Sequence, residues 1–219
     1  MFRLRHSLIA ASATALALCL CVSQAQAQSA AAPEAGQPRY PVSKADADFM
    51  QGMIAHHAQA VVMARWAPSH GASQGIQTLC ARIALSQHDD IIFMQNWLHD
   101  HNFAVPDTNG RMPMSSMPGM SMSGSDTGMV MMMPGMLTPA QMKMLDESRG
   151  PDFDRLFMTF MIQHHNGALS MVDTLFASPN GGQDDDIFKF ATAVHADQMA
   201  EIARMEAMLA GRPITGNNP

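Results

Sequence analysis

Phe49-Met50-Gln51-Gly52-Met53-Ile54-Ala55-His56-His57-Ala58-Gln59-Ala60-Val61-Val62-Met63 returns later in the chain as Phe157-Met158-Thr159-Phe160-Met161-Ile162-Gln163-His164-His165-Asn166-Gly167-Ala168-Leu169-Ser170-Met171. The copies share a Phe, two Met, an Ile, the His-His pair, an Ala and a final Met at equal spacing. Apolar residues recurring every three to four positions mark one face of an amphipathic helix. A repeated segment implies a repeated structural unit. The repeat is also chemical, because imidazole and thioether are borderline and soft metal ligands.

Outward from the first copy, Ser43 with Asp46 three residues on reads as a helix N-cap, and the periodicity runs to about Ala67, before Pro68. A turn at residues 69–73 leads to a second helix over roughly 74–101, with Leu79, Ile83, Gln87, Ile91, Met94 and Leu98 on one face. Thr138-Pro139-Ala140-Gln141 opens a short helix ending near Gly150; Pro151 and Asp152 then start a helix that runs to about Phe176. The Asp184-Asp185-Asp186 run reads as a solvated loop feeding a last helix over roughly 186–209. In that helix Gln198, Glu201, Ile202, Met205 and Leu209 repeat Gln87, Asp90, Ile91, Met94 and Leu98. The duplicated unit is therefore a helical hairpin, over residues 43–103 and again over 138–210. Neither hairpin can bury its apolar stripe alone, so the expected fold is all-α, a four-helix bundle of two duplicated hairpins. No segment alternates as a strand would, so Gly71-Ala72-Ser73-Gln74-Gly75, which fits the hydrolase pattern G-x-S-x-G, reads as a helix–helix turn.

Arg3, Arg5 and His6 precede an apolar run from Leu8 to Val22 and then Ala25-Gln26-Ala27, which reads as a signal peptide over residues 1–27. The mature chain is then periplasmic or secreted, with a flexible lead-in over 28–42 and a tail over 211–219. Cys19 and Cys21 leave with the peptide, so Cys80 has no disulfide partner and reads as core. No later stretch approaches the ~20 apolar residues of a membrane span. Loss of Arg3 and Arg5 takes the formal net charge from −6 to −8, and no basic cluster is present, which excludes nucleic acid as a partner.

The chain holds 23 Met, and their clustering is unlike that of a core. Residues 104–137 form a Met-rich loop expected to be disordered. In it Met112, Met114, Met117, Met120, Met122, Met129, Met131, Met132, Met133 and Met136 alternate with Pro, Gly and Ser. With His99 and His101 just before it, the loop is a secondary candidate metal site. The primary candidate is the duplicated motif. At 100° per residue from Met53, His57 falls at about +40°, Met50 at about +60°, His56 at about −60° and Met63 at about −80°. Met158, Met161, His164, His165 and Met171 repeat that arc. Facing helices of a bundle build metal sites from such side chains.

Imidazole with thioether favours Cu(I), with Cu(II) as a further candidate. The reading is an exported copper-binding protein, not an enzyme, acting as metallochaperone or buffer, with copper ions and another copper-handling protein as partners. Two alternatives stand beside it. The His pairs could be a buried network, with Gln87, Asp90, Gln198 and Glu201 as hydrogen-bond partners, in a structural or interaction module. A ferritin-like di-iron oxidase requires Glu-x-x-His on two helices, and no His of the mature chain has Asp or Glu three residues before it. For Met94, Met199, Met205 and Met208 at helical spacing, packing is the preferred role. His70 and His88 have no partner readable in the sequence.

With Phe49-Met50, Met53-Ile54, His56-His57, Ala60 and Met63, then Phe153-Asp154, Phe157-Met158, Met161-Ile162, His164-His165, Gly167-Ala168 and Met171, and finally Gln198, Glu201-Ile202 and Met205, the chain resembles the domain of unknown function 305 family. The resemblance covers about Asp46 to Leu209. It implies an exported, ferritin-like four-helix bundle, and for CopM-type members periplasmic copper binding and resistance. The first repeat has Gln59 where the second has Gly167, so two sites need not be equivalent.

Overall fold

The computed structural model describes residues 42–108 and 132–211. The signal peptide, nearly all of the lead-in, Met112, Met114, Met117, Met120, Met122, Met129 and Met131 lie outside the described residues, as does most of the tail. Five helices follow one another, α1 Lys44–Arg65, α2 Gln74–Asp100, α3 Pro139–Glu147, α4 Gly150–Ala177 and α5 Asp185–Leu209. Among the described residues there is no strand. The four long helices are the expected all-α bundle; α1 packs on α2, α4 on α5, and α1 against α4, which joins the two hairpins.

The helix starts follow from their caps. Ser43 Oγ accepts from Asp46 N at 3.1 Å while Asp46 Oδ2 accepts from Ser43 N at 2.8 Å, and Thr138 with Gln141 repeats this reciprocal pair at α3. The other oxygen of fully buried Asp46 accepts from Gly182 N at 2.7 Å, which ties the start of α1 to the α4–α5 turn. Asp184 is not solvated as expected: it is buried, and its Oδ1 accepts from the Asp186 and Ile187 amides as the cap of α5. His70 finds its partners here. Its Nε2 lies 2.9 Å from the Asp146 carbonyl and its Nδ1 2.9 Å from Ser69 Oγ, locking the α1–α2 turn, where the Gly71–Gly75 pattern falls, to α3.

The apolar side chains form two clusters. The first holds Met50, Met53, Met94 and Met171 with the Asp46 end of α1 and the Asp185 end of α5; the second holds Met63, Met158, Met161 and Met205 with the opposite ends. Repeat-related residues sit in different clusters, Met50 against Met158 and Met94 against Met205. A pseudo-twofold axis across the helices therefore exchanges the hairpins and the two cores. Met94 and Met205 are buried as packing residues should be, Met208 packs partly buried on the second cluster, and Met199 is exposed, pointing away from the core its spacing suggested.

Residues 132–137, counted with the loop at sequence level, are placed against α1 and α4. Gln59 clamps them with Nε2 to the Leu137 carbonyl at 3.0 Å and Leu137 N to Oε1 at 2.7 Å, and Gln163 Nε2 donates to the Gly135 carbonyl at 3.2 Å. This strap explains the difference between the repeats. A Cβ on Gly167 would stand 2.0 Å from the Pro134 carbonyl oxygen and 2.6 Å from the Gly135 Cα, and Gly135 itself has φ +77°, a conformation glycine adopts at little cost.

Gly167→Ala should therefore push the strap off α4. We expect a loss of about 1–3 kcal/mol, in the range of substitutions that break a close backbone approach, read as a fall in melting temperature of roughly 2–4 °C per kcal/mol. Faster amide exchange at Leu137 should accompany it, and an unchanged Leu137 amide would sink this account of the glycine.

Candidate metal centre

Between the two apolar clusters each long helix contributes polar residues to one layer: His56 and His57 from α1, Gln87 and Asp90 from α2, His164 and His165 from α4, Gln198 and Glu201 from α5. All four imidazoles are completely buried, as are the glutamines to within a few per cent. The rings run as a chain across the α1–α4 interface, with His56 and His57 centroids 6.3 Å apart, His56 and His164 3.8 Å, and His164 and His165 6.3 Å.

Hydrogen bonds orient part of this layer. His56 Nε2 donates to the Pro134 carbonyl of the strap at 3.0 Å, since a carbonyl only accepts. His165 Nε2 meets Glu201 Oε2 at 2.6 Å, and the repeat-related His57 Nε2 lies 3.2 Å from Asp90 Oδ2, close but not aligned as a hydrogen bond. The carboxylates expected as partners of a buried network are thus at hand, one from each hairpin.

They do not satisfy the layer. Of ten buried side-chain nitrogens and oxygens without a partner among the described residues, nine lie here: Nδ1 of all four histidines, Nε2 of His57 and His164, both amide atoms of Gln87, and Gln198 Oε1. The tenth is Trp97 Nε1. Each such group costs about 1–3 kcal/mol, and natural proteins keep few of them without an ion or water to meet. Burial, then the neighbouring His57, lowers the His56 pKa to about 3 against the pull of the Pro134 bond. Burial, then His56, His165 and His57, lowers that of His164 well below 6.5; an approach to the His56 backbone opposes this without reaching hydrogen-bond geometry. His56 and His164 therefore stand neutral at physiological pH, each with a lone pair free of any proton that a metal would have to displace.

The thioethers flank this layer on both sides. Met50, Met53 and Met171 lie in the first cluster and Met63, Met158 and Met161 in the second, all buried. Among the described residues no three His, Cys, Asp or Glu side chains are grouped so as to hold a metal ion. The thioethers on either side are further donors within the bundle, of a kind that suits a soft ion. Cys80 is not available for it, because burial, then Asp154, pushes its thiol up to about 12. The secondary candidates scatter. His99 is exposed beside Asp100, and His101 stacks on Trp97 with Nδ1 2.8 Å from the Trp97 carbonyl. Met132 is exposed, Met133 half-buried against the first cluster and Met136 buried. His88 is exposed on α2.

The contact of the Pro134 carbonyl with His56 was hidden from the sequence, because nothing local links residue 134 to His56. Asp197 was also missed. Its carboxyl is raised above its ordinary value by burial, then by Glu201 and Asp90, so three carboxylates face one another from α2 and α5.

A family profile described as a domain of unknown function, DUF305, matches residues 46–209, which span the strap and every residue of the layer. The chain belongs to the DUF305 family. Solved structures share its fold. A DUF305 protein from Streptomyces coelicolor, described as a candidate secreted protein, is 27% identical with TM-score 0.61 over 77% of this chain and 93% of its own. A DUF305 fragment from Deinococcus radiodurans is 24% identical with TM-score 0.59, over 78% and 99%. CopM in its Cu(II)-bound form is 23% identical with TM-score 0.54, over 76% and 96%. No curated protein matches the chain. Among the described residues of this DUF305 protein, no helix is long and apolar enough to cross a membrane.

The neutral histidines set a pH dependence for the metal-free protein. In the unfolded chain a histidine takes up its proton below about 6.5, while His56 stays neutral to about 3. Unfolding thus takes up protons throughout that interval, and stability falls as pH falls. The slope is about 1.4 kcal/mol per pH unit for each such histidine. Urea midpoints at about pH 7 and about pH 5 should show the fall, and His164→Gln should lessen it; equal slopes in the two proteins would contradict the assignment.

Proposed function

We propose that this protein is an exported copper-binding protein that holds Cu(I) in the layer between its two cores, as a buffer or metallochaperone. The observation that carries the reading is the set of buried, partnerless imidazole nitrogens flanked by thioethers. His56 and His164 would be the central ligands, with His57 and His165 beside them and Met50, Met53, Met63, Met158, Met161 and Met171 as the sulfur reserve. Thioether and neutral imidazole release no proton on binding, and both suit a soft monovalent ion better than a hard one. CopM structures with Cu(II), Cu(I) and silver support the reading by likeness of fold. Export rests on the signal-like residues 1–27 and on the secreted description of the Streptomyces relative.

Glu201, which accepts from His165, would act through that histidine, and Asp90 stands at the repeat-related place beside His57, where a small turn of the ring would bring it into the same role. A carboxylate that accepts from one ring nitrogen orients the other toward the metal and raises its basicity. The same contacts favour a second reading, in which the layer is a structural network. Replacing both His57 and His165 with Leu separates the two. Metal loss with an unchanged or raised melting temperature marks a site; unfolding with metal uptake intact marks a network.

Anaerobic competition against a chromophoric Cu(I) chelator tests the function. Wild-type protein should withdraw the ion, the variant with His56, His57, His164 and His165 all changed to Ala should not, and excision of residues 112–131 should leave the tight site in place. Asp90→Asn or Glu201→Gln should weaken binding about 10–100-fold, as orienting partners of metal ligands do. Wild-type protein that cannot compete would end the copper reading.

A further inference from the structure

We propose that the thioethers of Met133 and Met171, which converge over Gly52, form a transfer site through which Cu(I) passes between solvent and the histidine layer. The proposal rests on the copper reading above and adds a route to it. A Cβ placed on Gly52 would lie 3.2 Å from Met133 Sδ and 3.4 Å from Met171 Cε, so two thioether arms, one from the strap and one from α4, close on a single point on α1. The repeat-related position is Phe160, a large side chain buried in the second cluster. At Gly52 that space is given to sulfur.

Exposure falls in steps along this line, from Met132 at 50% through half-buried Met133 to Met171 at 9% and the fully buried imidazoles. The strap holds Met133 in place. The Gln59 and Gln163 clamps lie just after it, and Met136 Sδ accepts from the Met133 amide at 3.4 Å, which makes Met136 an anchor. The residue after Met133 is Pro134, whose carbonyl takes the His56 Nε2 hydrogen. Met133 thus adjoins in the chain the residue that holds His56, a ring whose Nδ1 has no hydrogen-bond partner among the described residues.

The step is ligand exchange alone. One bond to copper forms as another breaks, Cu–S for Cu–S between the thioethers and Cu–N for Cu–S on arrival at the imidazole; no proton moves, and the ion stays Cu(I) throughout. A thioether suits such a way-station because it binds a soft ion without deprotonation. Packing alone would also place an unbranched side chain against Gly52, and Leu would serve that purpose equally well.

Met133→Leu keeps the volume and removes the sulfur. Anaerobic transfer of Cu(I) from its chelator complex to metal-free full-length protein would be followed at rising protein concentration, for wild type, Met133→Leu, Gly52→Ala and Met144→Leu. Met144 is exposed on α3 and serves as the control. Met133→Leu should slow transfer at least about tenfold while the equilibrium affinity stays within about twofold, since Met133 is not among the ligands of the final site. Gly52→Ala, which keeps every sulfur but displaces the end of Met133, should slow it as well, and Met144→Leu should match wild type. Wild-type rates in both Met133→Leu and Gly52→Ala would overturn the transfer site while leaving the copper reading intact. A parallel loss of affinity and rate in Met133→Leu would overturn it too, making Met133 a ligand of the final site. No uptake by wild type would remove the copper reading and the transfer site together.

Discussion

The structure is organised around a buried layer in which most of the imidazole nitrogens have no hydrogen-bond partner among the described residues. Two apolar cores, each large enough to favour burial, meet at a layer where all four helices place polar groups, and the geometry withholds partners from nine of those atoms. The cost of leaving them bare is of the same order as the net stability of a domain this size. A chain that kept the layer for folding alone would do better with apolar side chains of equal volume, by the same logic that makes buried ion pairs replaceable. The layer is therefore understandable as a place for an occupant that brings its own bonding, and the neutral state of His56 and His164 readies it for a cation.

The strap breaks the symmetry of the duplicated fold. Without it the hairpins would present two equal faces of the layer. With it, one face is closed by residues 132–137, and three departures between the repeats have a reason in that closure: Gln59 to clamp Leu137, Gly167 to admit Pro134, and Gly52 to admit Met133. His56 acquires a donor role toward Pro134, and its counterpart His164 keeps both nitrogens free. The duplication supplies the ligands, and the strap makes the two sets of ligands unequal.

Most of the fold was legible in the sequence because its determinants are local. The Ser43–Asp46 and Thr138–Gln141 boxes set helix starts, and a 3.6-residue period in each copy set the buried face. The repeat of Gln87, Asp90 and Met94 as Gln198, Glu201 and Met205 identified the hairpin as the unit. The candidate ligands of the bundle were legible for the same reason. What stayed hidden is non-local. The departures at Gln59 and Gly167 could be seen, but their cause is a segment far along the chain. Asp184 looked solvated because an acidic run usually is, and tertiary packing buried it as a cap. Met199 has the spacing of a core residue but falls on the edge of the α5 stripe, where a shift of a few tens of degrees turns a side chain outward.

The layer also differs in hardness from one side to the other. Along the bundle it is bordered by the thioethers of both cores, which carry no charge and favour a soft ion. Toward α2 and α5 it is bordered by Asp90 and Glu201, with Asp197 beside them, its carboxyl raised by burial and then by those two neighbours. A monovalent ion gains little from that far side, where oxygen donors prefer a harder and more highly charged cation. If copper is the cargo, its oxidation state would bias it toward one side of the same layer, Cu(I) toward sulfur and Cu(II) toward the imidazole–carboxylate pairs. The four rings between would then serve either state, since neutral imidazole is a ligand to both. Such a division needs no movement of the helices, only thioethers in the cores at either end of the layer and carboxylates on α2 and α5 beside it.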